Sequence, residues 1–256
     1  MVSWPKPVYA GPIFNAGTRA SSGGRLIAEK DCSLIIPAYN EEGRIGEVLE
    51  ELSSFLGEIL CVCDGTDRTR EIVEEFITLH PAVHLRLLAF PKRLGKGGAV
   101  VAGMKAATTP FVGFMDADGS TPLSQMTLLF TQLEDCDVAL GSRWVNGAII
   151  GRKQGLARRI QSRAFNLTVR VLFGLPFHDT QCGAKTFRAG SLVAVVPKLR
   201  SMDFTFDVEL LWRLRRIGSR MRETPIAWAD RRGSKVEMGD AAGMLVSLLR
   251  LRLRNL

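Results

Sequence analysis

Histidine and paired cysteine are scarce in this sequence, and their scarcity excludes the usual zinc sites. The 256 residues include three histidines and five cysteines, and no zinc-type spacing emerges among them. The cysteines are odd in number, scattered, and mostly placed inside apolar runs. This pattern is typical of buried, reduced thiols in a cytosolic protein rather than of a disulfide framework.

Long apolar runs are missing too. Residues 1–7 lack the apolar core of a signal peptide, and no later run reaches the length that spans a bilayer. Two nucleotide-binding signatures are also missing, because Gly95-Lys96-Gly97-Gly98 lacks the Walker spacing and no Gly-X-Gly-X-X-Gly occurs. We therefore expect no membrane span, no P-loop and no dinucleotide-binding fold.

Charge is unevenly divided along the chain. Residues 1–142 carry 12 Lys+Arg and 18 Asp+Glu, a net charge of −6, whereas residues 143–256 carry 22 and 8, a net charge of +14. The basic half is expected to face nucleic acid, phosphate groups or an acidic membrane surface. Its arginine-rich segments lack interleaved aromatic residues and any nucleic-acid reader motif, so we expect no nucleic-acid partner.

Strand and helix patterns alternate from residue 32 onward, which predicts an α/β fold with a mainly parallel sheet flanked by helices. We expect a flexible arm over residues 1–30, a single domain over 31–239 and an amphipathic helix over 240–256. Predicted strands cover 32–36, 58–63, 85–89, a run from 111, 137–140 and 226–228. Predicted helices cover about 45–56, 68–79, 95–107, 123–133, 156–173 and 204–212.

Polar loops follow the predicted strands. Because the carboxyl ends of parallel strands meet at one edge of a sheet, these loops are expected to form one site. Asp116 and Asp118 end an apolar run, and their oxygens suit Mg²⁺ or Mn²⁺ shared with a substrate's phosphates. Lys96 is equally well read as a phosphate contact or as an exposed loop lysine. Asp207 and Glu209 open a helix, where they could simply compensate its dipole.

The last predicted helix is unusual because leucines and arginines alternate along it. Six apolar side chains, from Met244 to Leu256, share a broad face, with Arg250 and Arg254 opposite and Arg252 among the leucines. Such a helix fits a membrane surface, where the long arginine stem can reach a headgroup. Packing against the domain or against a dimer partner fits nearly as well.

Seven short motifs occur in an order that resembles the polyprenyl-phosphate (dolichyl-phosphate) sugar synthases, inverting glycosyltransferases of the GT-A fold. The match covers roughly residues 32–254, and two of its motifs, at Asp116 and Asp179, are more similar to dolichyl-phosphate β-glucosyltransferases than to mannose synthases. The motifs are Pro37-Ala-Tyr39-Asn40-Glu41, Gly95-Lys96-Gly97-Gly98-Ala99, Asp116-Ala-Asp118-Gly, Gly141-Ser-Arg143, Asp179-Thr-Gln181-Cys-Gly183-Ala-Lys185, Phe206-Asp-Val-Glu209 and Gly233-Ser-Lys235.

The resemblance implies four groups of site residues: for the metal, for catalysis, for the nucleotide sugar and for the acceptor phosphate. The residues implied in holding the metal are Asp116 and Asp118. The residues implied in catalysis are Asp116, Asp118, Arg143, Asp207 and Glu209. Those implied in nucleotide-sugar binding are Pro37, Tyr39, Asn40, Glu41, Asp64, Lys96, Asp116, Ala117, Gln181 and Lys185. Those implied in binding the acceptor phosphate are Arg143, Arg159, Ser162, Arg231, Arg232 and Lys235.

The resemblance further implies an activity, partners and a location. It implies metal-dependent, inverting transfer of a hexose, glucose from UDP-glucose, to a polyprenyl phosphate at the cytoplasmic face of a membrane, with room for a membrane-anchoring protein partner. The alternatives are a GDP-mannose-dependent mannose synthase and an inactive membrane-associated adaptor. Two departures from the family pattern bear on this choice. The loop at Asp64 is one residue short, with Cys63 in place of an aspartate, and Ser120 stands where some mannose synthases have a metal ligand.

Overall fold

The computed structural model describes residues 26–151, 156–203, 205–229 and 240–253, with the side chains of 156–161 and 240–245 excepted. Arg231, Arg232 and Lys235 therefore lie outside the described residues, as does the side chain of Arg159. Most of the predicted arm also lies outside. Its last residues contact the domain, where the Glu29 carboxylate accepts a hydrogen bond from the backbone N–H of Leu56.

Strands and helices alternate through most of the described chain. The strands are β1 Cys32–Ala38, β2 Glu58–Cys63, β3 Leu85–Ala89, β4 Phe111–Phe114, β5 Val138–Ser142, β6 Ile149–Ile150, β7 Lys185–Arg188, β8 Met221–Pro225 and β9 Ala227–Trp228. The helices are α1 Ile45–Leu52, α2 Thr69–Leu79, α3 Gly95–Ala106, α4 Leu123–Gln132, α5 Leu156–Phe173, α6 Ala189–Val193, α7 Phe206–Arg216 and α8 Asp240–Leu253.

The central sheet has seven strands in the order β3-β2-β1-β4-β7-β5-β8. The pairs β1–β2, β2–β3, β1–β4 and β5–β8 are parallel, whereas β7 is antiparallel to both of its neighbours. The predicted mainly parallel α/β architecture is thus confirmed. A small separate sheet pairs β6 with β9, so the predicted strand at 226–228 belongs outside the main sheet.

Strand β7 is the main departure from the predicted elements, because its polar sequence indicates a loop. Lys185 pairs with Phe114 on one side and Leu140 on the other, and it lies fully buried together with Thr186. Since β7 runs against its neighbours, its N-terminal end meets their carboxyl ends. The loop of residues 179–184 therefore reaches the same edge of the sheet as Asp116.

Helices cover both faces of the sheet, and each face has its own apolar core. Alternation along β1 sends Leu34 and Ile36 to one face, against α1, α2 and α4, and Ile35 to the other, against α3. The second core continues through α5 and α7 to α8. This arrangement leaves one edge of the sheet, at the carboxyl ends of the strands, to be covered by loops.

Helix α8 packs on the domain, which was one of the readings open from sequence. Leu248 and Leu251 are buried in the same core as Val169 and Phe173 of α5. The guanidinium of Arg252 donates a hydrogen bond of 3.0 Å to the Leu172 carbonyl. Among the described residues, every helix is too short or too polar to cross a bilayer.

Candidate active site

A row of alternating charges lies at the carboxyl edge of the sheet, fully buried at Lys185 and Asp207 and half-exposed at Asp116. The ammonium of Lys96, at the start of α3, is 2.9 Å from Asp116 Oδ1 and 3.7 Å from Asp207 Oδ2. The ammonium of Lys185, at the start of β7, is 2.6 Å from Asp207 Oδ1 and 2.5 Å from the Cys182 carbonyl. Of the two sequence readings of Lys96, the exposed loop lysine is excluded.

These contacts shift the pKa values of Lys96 and Asp116. Burial would lower the pKa of Lys96, but Asp116 and Asp207 raise it above its ordinary range. Partial burial would raise the pKa of Asp116, but Lys96, with Lys185 and Arg143 farther away, holds it below its ordinary value. Asp116 is therefore a carboxylate and Lys96 an ammonium at neutral pH.

Gly183 allows the Asp116 carboxylate to lie directly against the loop before β7. A Cβ atom built on Gly183 would be 1.8 Å from Asp116 Oδ2, a distance that no side chain can occupy. The Asp-Thr-Gln-Cys-Gly motif thus meets the Asp-Ala-Asp motif at this glycine. Gln181, half-buried, lies in the same loop.

Asp118 differs from Asp116 because the described residues give it no ion-pair partner. Its Oδ1 accepts a hydrogen bond of 2.9 Å from the backbone N–H of Ser120. Burial, and after it the negative charge of Asp116, raises the pKa of Asp118. A nearby cation would relieve both effects.

The donor set at this edge fits Mg²⁺ or Mn²⁺ shared with a phosphate ligand. No cluster of three His, Cys, Asp or Glu side chains suited to a metal occurs in the described part of the chain. The protein would thus supply one or two carboxylate oxygens. This is common for Mg²⁺, whose remaining ligands are waters and substrate phosphates. Since Asp116 Oδ1 is engaged by Lys96, Asp118 is the better placed ligand of the predicted pair.

Arg143, which follows β5, is held rigidly by Asp179. Its Nε and Nη2 donate hydrogen bonds of 2.7 and 2.8 Å to the two carboxylate oxygens, and its backbone N–H adds a third of 3.0 Å. The guanidinium carbon also lies 5.2 Å from the centre of the Trp228 ring. Burial would raise the pKa of Asp179, but the paired Arg143 lowers it.

Two side chains, the half-buried Glu223 of β8 and the buried Asn166 of α5, support the loop that carries Asp179. The Glu223 carboxylate accepts hydrogen bonds of 2.9 and 2.8 Å from the backbone N–H groups of His178 and Asp179. Asn166 Oδ1 accepts two more, from the N–H and hydroxyl of Thr180, and its amide donates to the Ser162 carbonyl. Ser162 therefore contributes its backbone to this support.

The loops after β1 and β2 brace each other and α3. Asn40, in the left-handed region at φ 53°, accepts a hydrogen bond of 2.8 Å from the Thr66 N–H. Asp64 Oδ2 accepts hydrogen bonds of 2.7 and 3.1 Å from the N–H groups of Leu94 and Gly95. Asp64 thus orients the segment that carries Lys96, despite the short loop around it.

The remaining residues of the predicted nucleotide pocket lie close by. Tyr39 is half-buried, with the Arg93 guanidinium carbon 4.1 Å above its ring centre. Glu41 accepts a hydrogen bond of 2.9 Å from Arg44 Nε. Pro37 lies in β1 opposite Val62 of β2, one residue before the end of that pairing, and Ala117 is buried between the two aspartates.

Glu209 is the predicted catalytic residue that the structure places in a supporting position. It is fully buried, and its Oε2 accepts hydrogen bonds of 3.0 and 2.7 Å from the N–H groups of Arg200 and Ser201. Its Oε1 pairs with Arg213, 2.7 Å away. The next residue of that loop, Met202, accepts a hydrogen bond of 3.0 Å from the Gly97 N–H. Glu209 is therefore connected to the start of α3 through this loop.

Sequence reasoning missed Asn166, Glu223 and Arg93. The spacing of apolar residues in α5 and β8 does not distinguish Asn166 and Glu223 from other polar residues. Glu223 also lies on a strand that was not predicted. All five cysteines are buried and reduced, as their pattern predicted. Burial, and then Asp179, raises the pKa of Cys182 to about 12, so this thiol stays protonated beside the site.

Comparison with known proteins gives consistent results. Residues 33–194 match the model of glycosyl transferase family 2. A dolichyl-phosphate beta-glucosyltransferase of Saccharomyces cerevisiae is 32% identical over 253 residues, covering 88% of this chain and 75% of the relative. One of Drosophila melanogaster is 32% identical, covering 80% and 69%. Glucosyl-3-phosphoglycerate synthase from Mycobacterium tuberculosis, solved with Mn²⁺, UDP and glucosyl-3-phosphoglycerate, superposes with a TM-score of 0.65 at 18% identity, covering 92% of this chain and 86% of that one.

Proposed function

The chain belongs to glycosyl transferase family 2 and is a glycosyltransferase related to the dolichyl-phosphate β-glucosyltransferases, and from this premise we propose a specific reaction. The enzyme transfers glucose from UDP-glucose to a dolichyl-type polyprenyl phosphate, with inversion at the anomeric carbon and with Mg²⁺ or Mn²⁺ bound. It works as a peripheral protein at the cytoplasmic face of a membrane. The relatives' names supply the acceptor and the sugar.

The observation that carries the proposal is the asymmetry between Asp116 and Asp118. Asp116 is already neutralised by Lys96, whereas Asp118 carries a raised pKa and has no described ion-pair partner. A donor diphosphate that brings a divalent cation would complete this site. The cation, when bound, neutralises charge that builds on the leaving diphosphate.

The chain's own cations assist departure of the diphosphate. The side-chain nitrogens of Lys96 and Lys185 are held by Asp116 and Asp207 at the carboxyl edge of the sheet. Cations held in place before the reaction stabilise developing negative charge without reorganising. Asp207 spaces the two lysines, and with Gln181 it is proposed to line the sugar pocket.

The acceptor phosphate needs positioning rather than a strong base. A phosphate monoester is largely dianionic near neutral pH, so its oxygen can attack the anomeric carbon while the bond to UDP breaks, and no proton has to move. Arg143 is proposed to hold it, since a forked guanidinium suits phosphate and Asp179 fixes its direction. Arg159, Arg231, Arg232 and Lys235 remain proposed contacts to the same phosphate.

A donor and acceptor screen tests the proposal. The purified chain is incubated with radiolabelled UDP-glucose or GDP-mannose, polyprenyl phosphate and either metal, and the lipid product is separated from the nucleotide sugar. We expect labelled lipid from UDP-glucose and not from GDP-mannose. Transfer from GDP-mannose alone would establish the mannose synthase alternative, and no transfer from either donor would establish the inactive adaptor.

A further inference from the structure

Glu223 of β8 holds the backbone of the loop between α5 and β7. Its Oε1 accepts hydrogen bonds of 2.9 and 2.8 Å from the N–H groups of His178 and Asp179, and its Oε2 lies 2.9 Å from the same His178 nitrogen. The ring nitrogen Nδ1 of His178 is 3.0 Å from Oε2. The Glu223 side chain is only 10% exposed. Because hydrogen bonds to a charged acceptor are roughly twice as strong as neutral ones, this carboxylate restrains the loop backbone.

The same strand also aligns the segment that leads to Arg143. In the parallel pair of β5 with β8, Ser142 lies opposite Pro225. The N–H of Ile226 donates a hydrogen bond of 3.2 Å to the Ser142 carbonyl, one residue before Arg143. Strand β8 and the residue that follows it therefore contact two segments of the site, the end of β5 and the loop before β7.

Strand β9, which comes shortly after β8, limits Arg143 from another side. The centre of the Trp228 ring lies 5.2 Å from the guanidinium carbon, within the range of a cation–π contact. Strand β9 is itself held by β6, where Ala227 lies opposite Ile149. The Arg143 side chain is 13% exposed, so a ligand can meet only a small part of the guanidinium. The direction of this group therefore decides whether a ligand is bound.

The pair of Arg143 and Asp179 needs support from outside the pair. Three hydrogen bonds to the Asp179 carboxylate come from Arg143, two from its guanidinium and one from its backbone N–H. Such a pair can tilt as a unit when the backbone of the aspartate moves. The N–H of Asp179 is itself bonded to Glu223, so Glu223 fixes the backbone from which the carboxylate extends.

We propose that Glu223 is a positioning residue for the acceptor phosphate, which acts through Asp179 on the direction of Arg143. The proposal rests on the proposed function, in which Arg143 holds that phosphate. A displacement of about 1 Å in a group that positions a substrate can cost on the order of 100-fold in rate, so support at this distance affects transfer. Lys96 on α3 and Asp118 after β4 belong to other elements, so donor binding should not depend on Glu223.

Steady-state kinetics with a short-chain, water-soluble polyprenyl phosphate tests the proposal. Glu223→Ala removes both acceptor oxygens and should raise the KM for this acceptor at least about tenfold, while the KM for UDP-glucose stays within about twofold. Glu223→Gln keeps Oε1 as a neutral acceptor for both N–H groups, so its acceptor KM should rise only about threefold. Binding of UDP with Mn²⁺, measured by calorimetry, should be the same in all three proteins.

Matched controls separate the backbone contact from the imidazole ring and from ion pairs in general. His178→Ala removes the ring and leaves both N–H groups in place, so both KM values should stay within about twofold of wild type. Glu50→Ala breaks an exposed pair with His80, 3.5 Å long, and should also leave both KM values within about twofold. Thermal melts show which variants are folded, and Glu223→Gln decides the test if Glu223→Ala is not.

A double-mutant cycle shows whether Glu223 acts through Asp179. Asp179→Asn already weakens the hold on Arg143, so adding Glu223→Ala to it should raise the acceptor KM by less than about threefold more. The proposal is overturned if the two effects multiply in full, or if Glu223→Ala raises the KM of donor and acceptor equally. It is also overturned if Glu223→Ala changes the acceptor KM no more than Glu50→Ala does.

Failure of the proposed function gives a different result. Wild type would then bind the short polyprenyl phosphate in calorimetry and transfer no glucose to it. The ratio of the Kd values of wild type and Glu223→Ala for this phosphate would still test the positioning role. If wild type bound no polyprenyl phosphate, the positioning role would fail, because Arg143 would have no phosphate to hold.

Discussion

At the scale of single residues, Asp118 is the carboxylate whose environment demands a ligand. Asp118→Asn keeps the side-chain shape but removes the charge that would bind the divalent cation, so kcat should fall by at least about 100-fold. The melting temperature should not fall, because the substitution removes repulsion from Asp116. Addition of EDTA to wild type should have the same effect on transfer, with recovery on adding Mn²⁺ or Mg²⁺. The exposed Asp135→Asn is the control. Full activity of Asp118→Asn, or of wild type in EDTA, would contradict the assignment.

Glu209 is a fully buried charged residue that is connected to the site through a loop. Glu209→Gln replaces one of the two carboxylate oxygens by an NH2 group, which donates hydrogen bonds instead of accepting them. Either Arg213 or the N–H groups of Arg200 and Ser201 then lose their acceptor. Breaking a buried pair of this kind lowers the free energy of unfolding by about 3 kcal/mol. Urea unfolding measures this loss.

The chain offers a matched comparison for Glu209. Arg70 and Glu74 form an ion pair with the same spacing on an exposed helix face, so Glu74→Gln should change the free energy of unfolding little. If Glu209 supports Lys96 through Met202 and Gly97, the folded Glu209→Gln protein should also show a raised KM for the donor with an unchanged KM for the acceptor. Equal changes in both KM values would argue against this route.

Asp179 makes stability depend on pH in the acid range. Its pKa in the folded protein lies below the ordinary carboxyl value of 3.8, so its contribution is complete above that value and is lost as pH falls through the folded pKa. Asp179→Asn should therefore lower the free energy of unfolding at pH 6 and flatten its decline below about pH 4. Urea titrations at several pH values measure both effects. A decline as steep as that of wild type would show that other carboxyl groups cause it.

At the scale of elements, the reversed strand β7 is what brings the second half of the site to the first. Its approach depends on Gly183, where any Cβ would collide with the Asp116 carboxylate. Gly183→Ala should displace that carboxylate from Lys96 and lower kcat/KM by about 100-fold or more. Gly190→Ala, in α6 with open space around it, should leave the activity unchanged. Wild-type activity in Gly183→Ala would mean that Asp116 can shift without loss.

Elements with clear periodicity were predictable, and the polar ones were not. The spacing of apolar residues predicted α5 at the residues it occupies, and it placed β2 and β3 correctly. It missed β7 because Lys185 and Thr186 are buried through partners distant in sequence, such as Asp207. It missed β8 because Met221–Pro225 shows no regular apolar alternation. The ordered motifs still identified the family, because they follow continuous apolar runs that form buried strands.

At the scale of the whole molecule, the charges of the site and the arginines on the surface differ in their exposure to solvent. The paired and buried charges of the site are shielded from salt, whereas the exposed arginines of α5, α7 and α8 are not, because the Debye length falls from about 8 Å at physiological ionic strength to about 3 Å at 1 M. Transfer to polyprenyl phosphate embedded in anionic vesicles should therefore fall at least about tenfold between 0.1 and 1 M salt.

The matched measurement uses the same enzyme with a short, soluble polyprenyl phosphate. If Arg143 holds that acceptor through direct contacts, as proposed, the kcat for the soluble acceptor should change by less than about threefold over the same range of salt. The difference in salt dependence between the two acceptors, rather than either rate alone, measures what the exposed arginines contribute to transfer. If salt reduced both reactions equally, the charges that salt screens would lie in the active site. The basic half of the chain would then act on the substrate itself and not on the bilayer.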